Sequence, residues 1–102
     1  MTAGFAVTYT PEAEAQLVGL YRYIASEGSP LTAKQFTDAI VARCETLDQF
    51  PERGVARDDI RAGMRTLAYR RVVIVYAVDL RAVTIIGVFY GGQDYAAILG
   101  DG

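Results

Sequence analysis

The chain has 102 residues, of which 52% are hydrophobic, and a formal net charge of −2. This length supports one compact domain, residues 1–102, with a modest core. The acidic balance argues against a protein that coats nucleic acid nonspecifically, because that mode needs a broad excess of Lys and Arg to release counterions, although local charge can differ from the net charge. Stable binding of the chain alone to nucleic acid is therefore not expected.

The residue content also argues against a zinc site, an internal disulfide, a membrane span and a secretory signal. The chain has no histidine and a single cysteine, Cys44, so it lacks the usual ligands of a zinc site and the pair needed for an internal disulfide. No apolar stretch reaches the roughly 20 residues of a membrane span, and the first residues lack the pattern of a secretory signal. We expect a cytoplasmic protein without metal or other cofactor.

The first predicted elements are a short strand and a helix. Alternation of Phe5, Val7 and Tyr9 with smaller residues predicts a half-buried strand. Thr10 followed by Pro11 is typical of a helix start, because proline fits the first helical position. Apolar residues then recur at helical spacing until glycine and proline end the segment, at positions Ala13, Leu17, Leu20, Ile24, Gly28 and Pro30.

A second helix is predicted over residues 31–49, with Ala33, Phe36, Ile40 and Cys44 on one face. The connection between the two helices is short, so they are expected to pack as an antiparallel hairpin. Residues 52–63 are polar and punctuated by glycine, which predicts a loop with at most one helical turn.

Three strands are predicted in the last third, over residues 64–68, 71–78 and 83–90. Short turns separate them, which favours a meander. The last two are nearly continuous apolar runs, so both faces of the sheet's centre are expected to be covered, by the helices on one side and by local packing or a partner on the other. The predicted class is α+β in the order β-α-α-β-β-β, with the helical hairpin packed on a small, mainly antiparallel sheet. A short C-terminal helical turn is left open.

The end of the last predicted strand carries polar side chains. Tyr90 is followed by Gly91 and Gly92, which permit a turn with positive backbone dihedrals, and then by Gln93 and Asp94. These side chains are therefore expected at one end of the sheet, where a partner can reach them.

The element order and several phrases resemble the ParE branch of the RelE/ParE superfamily of bacterial toxin–antitoxin modules, over nearly the whole chain. The phrases, in order, are Val7-Thr8-Tyr9-Thr10-Pro11-Glu12-Ala13, Tyr23-Ile24-Ala25, Ser29-Pro30-Leu31-Thr32-Ala33, Leu47-Asp48-Gln49-Phe50-Pro51 with Gly54, Gly63-Met64-Arg65-Thr66-Leu67, Val73-Ile74-Val75-Tyr76 and Val88-Phe89-Tyr90-Gly91-Gly92-Gln93-Asp94.

The resemblance implies a small toxin that a cognate antitoxin keeps silent in a hetero-oligomer, by wrapping its C-terminal segment across the toxin. ParE-like members poison DNA gyrase, whereas RelE-like members cut mRNA on the ribosome. The first activity is that of a binding inhibitor and the second that of a nuclease. A third alternative is a homologue that keeps the fold and binds antitoxin without being toxic.

The residues favour the inhibitor. RNA cleavage without a metal needs a proton acceptor, a proton donor and cations for the phosphorane charge. Superfamily members often carry a histidine near the end of the last strand, where this chain has Tyr90. Arg65, Arg70 and Arg71 are the cations that could stabilise the phosphorane charge. If the chain is a nuclease, Arg65, Arg71 and Tyr90 are the catalytic candidates, and no catalytic residue is assigned otherwise.

Gyrase poisoning requires only a shaped surface that captures one conformation of the enzyme and its DNA. The candidate target-binding residues are Arg65, Arg71, Tyr90, Gln93 and Asp94, because guanidinium and aromatic groups are common interface anchors.

Plain structural roles remain open for several of the same side chains. Arg65 and Arg71 can instead form surface ion pairs with Asp79 or Asp94. Tyr76 is expected to have a buried ring and a solvated hydroxyl. Cys44 is expected to be an inert core residue.

Overall fold

The computed structural model describes residues 4–91. Within this range it has two α-helices, a short 3₁₀ helix and five strands, which are β1 (Ala6–Tyr9), α1 (Pro11–Glu27), α2 (Pro30–Glu45), the 3₁₀ helix Thr46–Asp48, β2 (Val55–Ala56), β3 (Met64–Tyr69), β4 (Val72–Asp79) and β5 (Ala82–Tyr90). The predicted α+β class and element order are confirmed. The C-terminal helical turn that was left open lies outside the described residues.

Both helix starts follow from local capping. The hydroxyl of Thr10 accepts a hydrogen bond from the Ala13 N–H at 3.1 Å, and Pro11 occupies the first helical position, as predicted. Ser29 accepts in the same way from the Thr32 N–H at 3.1 Å. Each cap satisfies one backbone donor that a helix start leaves without a partner.

The second helix differs from its predicted bounds at both ends. Pro30 is its first residue and not a terminator of α1. At the other end the α-helix stops at Glu45, where the prediction reached residue 49. The Thr46 N–H is shared among the carbonyls of residues 42–44, and the chain tightens into the 3₁₀ helix. Such tightening satisfies the last carbonyls of a helix.

The five strands form one sheet in the order β1-β5-β4-β3-β2. Strands β3, β4 and β5 are joined by tight turns and pair antiparallel, which confirms the predicted meander, and β1 pairs parallel with β5. The sequence did not predict β2, which lies inside the expected loop and pairs with Arg65 and Thr66 of β3. Two residues are too few to give the period of a strand.

A bulge in β5 sets which side chains face the helices. Val75 pairs with Gly87 and Tyr76 with Ile85, so Ile86 is the extra residue. A bulge reverses the alternation of side chains beyond it. Val88 and Tyr90 therefore face the helix-side core, together with Val83 and Ile85 from before the bulge.

Two clusters of apolar side chains cover the two faces of the sheet, as the continuous apolar runs predicted. The larger cluster joins the helices to the sheet and includes Ile40, Leu47 and Tyr76. The smaller one contains Met64, Val75 and Phe89, with Ile60 from the loop packed against it. In the described part of the chain, no helix is long and apolar enough to cross a membrane.

Candidate functional site

Strand pairing brings two of the predicted target-binding residues to one end of the sheet. Val72 pairs with Tyr69 on one side and with Tyr90 on the other. The Gly91 N–H donates to the Arg71 carbonyl at 3.0 Å, which closes this end, and Gly91 has a positive φ of 74° as expected for the glycine turn. Arg71 and Tyr90 are therefore neighbours, and the Arg71 side chain is exposed.

Tyr90 is held by aromatic rings from both helices. Its ring centroid lies 6.1 Å from that of Tyr23 on α1 and 6.1 Å from that of Phe36 on α2, and the Phe36 contact is edge-to-face. These distances suit favourable aromatic pairs. The ring is fixed in place while part of the residue remains accessible, which suits a preformed contact surface.

Tyr69, at the same end of the sheet, is the centre of an arginine cluster, defined as Arg43, Arg70 and Arg71 together with this ring. The guanidinium carbon of Arg43 lies 4.7 Å from the ring centroid, and that of Arg70 lies 5.3 Å from it. Arg70 and Arg71 form the turn between β3 and β4. Cation–π attraction of this kind contributes about 0.5–1 kcal/mol per contact at exposed sites.

Arg65 lies elsewhere. It pairs with Tyr76, whereas Arg71 directly precedes Val72, so the two arginines are five strand positions apart, or roughly 16 Å at about 3.3 Å per strand residue. Its Nε and Nη2 atoms donate to the Gly54 carbonyl at 3.2 and 2.8 Å, and Nη2 also donates to the Glu52 carbonyl at 3.0 Å. The guanidinium thus holds the loop before β2.

Tyr76 completes this loop anchor, which we define as Arg65 and Tyr76 with the segment 51–54. The Tyr76 hydroxyl accepts from the Gly54 N–H at 2.9 Å and donates to the Pro51 carbonyl at 2.8 Å. The residue has no accessible surface. The expectation of a solvated hydroxyl was therefore wrong, because two backbone groups of the loop need this hydroxyl as a partner.

The structural alternatives are also resolved in part. Asp79 lies at the opposite end of β4 from Arg71, so the suggested ion pair with Arg71 does not form. Gln93 and Asp94, the remaining predicted target-binding residues, lie outside the described residues.

Cys44 is a free, fully buried thiol, as predicted for a core residue. Burial, followed by the nearby charge of Glu45, raises the pKa of Cys44 to about 12. A thiol with so high a pKa is a poor nucleophile at neutral pH. Residues 4–91 contain no cluster of three or more His, Cys, Asp or Glu side chains that suits a metal ion.

Sequence reasoning missed the contacts that Arg43 and Arg70 make with the Tyr69 ring. The turn was predicted, and Arg70 was considered there only as a cation for phosphate charge in the nuclease alternative. Arg43 is 26 positions before Tyr69, and no local pattern links them. Their contact arises only when α2 packs across the sheet.

Comparisons with known proteins agree with this architecture. Residues 7–95 match the family described as "ParE toxin of type II toxin-antitoxin system, parDE". No curated protein matches the chain. A solved structure, "Chromosomal ParDE TA system from P. aeruginosa", superimposes with a TM-score of 0.74 at 21% sequence identity and covers 88% of this chain and 99% of that one. At that identity the likeness supports the shared fold.

Proposed function

Because the chain belongs to the ParE toxin family of type II toxin–antitoxin systems, we propose that it inhibits DNA gyrase and that a cognate antitoxin neutralises it. The family match over residues 7–95 carries this proposal. The activity is that of a cytoplasmic binding inhibitor that captures one state of gyrase and its DNA, and it requires no reaction by the toxin itself.

The proposed target-binding surface is the end of the sheet where Arg71 lies beside Tyr90. Gln93 and Asp94, which follow in the sequence, stay predicted target-binding residues. The rings of Tyr23 and Phe36 hold Tyr90 in place, and an anchor that is already ordered loses less entropy on binding. Arg65 contributes by positioning: its bonds to Glu52 and Gly54 shape the neighbouring loop.

The same geometry weighs against the ribonuclease alternative. Catalysis by Arg65, Arg71 and Tyr90 would need the three groups to converge on one phosphate. Arg65 instead directs its Nε and Nη2 donors at backbone carbonyls and lies roughly 16 Å along the sheet from Arg71.

The test is a supercoiling assay with purified gyrase and relaxed plasmid, together with a search for trapped, cleaved DNA. The wild-type protein is expected to inhibit supercoiling or trap cleavage, and Arg71→Gln is expected to reduce the effect at unchanged fold. Arg61→Gln is the matched control, since Arg61 is exposed and lies in the loop before β3. A wild-type protein that leaves gyrase untouched but cuts ribosome-bound mRNA would reject this function in favour of the nuclease.

Neutralisation by an antitoxin is supported by apolar side chains left exposed on the helical hairpin. Val18 is 50% exposed, Tyr23 54% and Leu31 65%. Exposed apolar groups on one pair of helices suit an amphipathic partner segment. Growth arrest on induction of the chain alone, with rescue by co-expression of the neighbouring gene product, is the expected result. Normal growth at high expression would instead identify a non-toxic homologue.

A further inference from the structure

We propose that the arginine cluster grips the phosphodiester backbone of the duplex DNA that the poisoned gyrase holds. The inference rests on the proposed function, because that function brings the toxin to a protein–DNA complex. It adds to that function a second contact, made directly with the nucleic acid, through Arg43, Arg70 and Arg71.

The first observation is that two of the guanidinium groups are held by one ring. Arg43 comes from α2 and Arg70 from the β3–β4 turn, yet both lie within 5.3 Å of the Tyr69 ring centroid. Ring stacking restricts a guanidinium but leaves its N–H edges free to donate. Planar forks of this kind match phosphate oxygens in bidentate pairs.

The second observation is the backbone of Arg70, which has a φ of 57°. This left-handed region costs most residues roughly 1–2 kcal/mol and is normally filled by Gly, Asn or Asp. Leu80 in the β4–β5 turn has the same conformation, at a φ of 49°, so it is the arginine side chain packed on Tyr69, and not the turn geometry, that distinguishes the Arg70 turn.

The third observation is that the cluster's positive charge is not neutralised within residues 4–91. Neither Arg43, Arg70 nor Arg71 forms an ion pair there, whereas Lys34 is paired with Asp38 and Arg57 with Asp59. Side chains three and four positions away on a helix are neighbours. At these positions from Arg43 the chain has no acidic residue, since they are Ala39, Ile40, Thr46 and Leu47. A locally basic surface thus stands on a chain with a net charge of −2.

Duplex DNA suits these observations better than an acidic peptide. The charged groups of the cluster are all arginines, and two of them belong to an exposed turn at the end of the sheet. Duplex DNA offers a phosphate about every 1.7 Å of its axis, so several guanidinium groups can be satisfied in one docking position.

The expected salt dependence agrees with the prediction that the chain alone does not bind nucleic acid stably. Three neutralised phosphates give a salt slope of about −2.7, so raising the salt from 20 to 150 mM weakens the contact roughly 200-fold. At cellular salt the contact acts only when gyrase holds the DNA nearby.

The test measures fluorescence anisotropy of a labelled 20-base-pair duplex with the full chain, between 20 and 100 mM salt. We expect a wild-type slope near −2.7, and a slope near −1 for Arg70→Gln combined with Arg71→Gln, with about tenfold weaker binding per arginine at 50 mM salt. Arg43→Gln should lower the slope by about one. Circular dichroism establishes that each variant is folded.

The matched control is Arg61→Gln combined with Arg81→Gln, which removes the same charge. Arg81 is also a turn arginine near an aromatic ring, 5.9 Å from the centroid of Phe5, but at the other end of the sheet. The control is expected to keep the wild-type slope. Equal losses in both double variants would reduce the effect to net charge and overturn the proposal.

The result separates this inference from the proposed function, because the duplex assay contains no gyrase. A wild-type slope near zero, or binding of a labelled poly-glutamate peptide without binding of the duplex, would overturn the DNA contact even if gyrase is inhibited. Conversely, the expected slopes with no inhibition of gyrase would keep the phosphate site and reject the gyrase target.

Discussion

The two turns at the ends of β4 share a backbone feature and differ in chemistry. Arg70 before the strand and Leu80 after it both have positive φ, 57° and 49°. The arginine side chain packs on Tyr69, whereas Leu80 is 89% exposed. Near the Leu80 end, the loop anchor uses Arg65 to bond backbone carbonyls. At one end of the sheet an arginine therefore holds the backbone of a loop, and at the other end Arg70 and Arg71 are exposed to solvent.

This difference teaches that an arginine's role depends on which backbone groups lie within its reach. Segment 51–54 precedes the short strand β2, and the side chain of Arg65, which pairs with Ala56 of β2, reaches the carbonyls of Glu52 and Gly54. At the Arg70 turn the strand pairing is complete up to Gly91. The guanidinium groups there have no such structural demand.

The largest expected effect is in the loop anchor, at Gly54. A Cβ added there would lie 2.5 Å from the Thr66 carbonyl oxygen and 2.8 Å from the Tyr76 hydroxyl. Gly54→Ala must therefore displace the loop or the strand, and we expect a loss of about 3 kcal/mol in the free energy of unfolding. Urea unfolding followed by circular dichroism measures it.

Gly19→Ala is the matched control for that substitution. Gly19 lies within α1, and an added Cβ there would meet nothing within 4 Å. Alanine is the better helix former, so this variant should gain about 0.5–1 kcal/mol. A Gly54→Ala protein as stable as wild type would mean that the segment 51–54 is not tightly held.

The two arginines provide the next test of the comparison. Arg65→Met removes three hydrogen bonds to the loop, and we expect it to cost about 2 kcal/mol because the partly buried Gly54 carbonyl loses its side-chain partner. Arg71→Met should change stability by less than about 0.5 kcal/mol while weakening duplex binding. Chemical unfolding of both variants decides. Equal destabilisation would contradict the division between a structural and a displayed arginine.

The sequence predicted the parts of the fold that local patterns determine. The cap at Thr10 predicted the start of α1, and the alternation of apolar residues predicted β1 and the meander. The continuous apolar runs in β4 and β5 predicted that both faces of the sheet are covered. The two-residue β2 and the bulge at Ile86 were not predictable, because each depends on pairing with a distant strand. The end of α2 at Glu45 was not predicted, because no glycine or proline follows it directly in the sequence.

The site was predictable only in part, for the same reason. Arg65 and Arg71 both follow or precede apolar strand residues and look equivalent in the sequence. Register alone sets Arg65 opposite Tyr76 and Arg71 beside Tyr90. The packing of α2 across the sheet then brings Arg43 to the Tyr69 ring, at the same end of the sheet as Arg71. No local spacing in the sequence predicts this contact.

A smaller effect is expected from the two positive-φ residues themselves. Leu80→Asn should raise stability by about 1 kcal/mol, because Asn tolerates the left-handed conformation and little apolar burial is lost at 89% exposure. Arg70→Asn should gain less, by roughly 0.5 kcal/mol, because the contact with Tyr69 disappears. Thermal unfolding compares the two. A larger gain at Arg70 than at Leu80 would show that the Tyr69 contact has no energetic weight.

The smallest expected effect comes from Cys44, which lies in α2 and in the core and not in either turn. Its effect on stability therefore provides a baseline for comparing the two ends of the sheet. Its native pKa of about 12 lies above the ordinary value of 9.0. Above pH 9 the unfolded chain loses the thiol proton that the folded chain keeps, so stability falls as pH rises from about 9 towards 12.

Between pH 7 and pH 9 this difference amounts to only about 0.4 kcal/mol. Denaturant unfolding at the two pH values should show it in the wild type and in both Arg65→Met and Arg71→Met, and Cys44→Ala should remove it. If instead one arginine variant changes the pH slope, that arginine influences the packing around Cys44, and the two ends of the sheet are not independent. An unchanged slope in both assigns their stability difference to the loop anchor, where the hydrogen bonds of Arg65 are made.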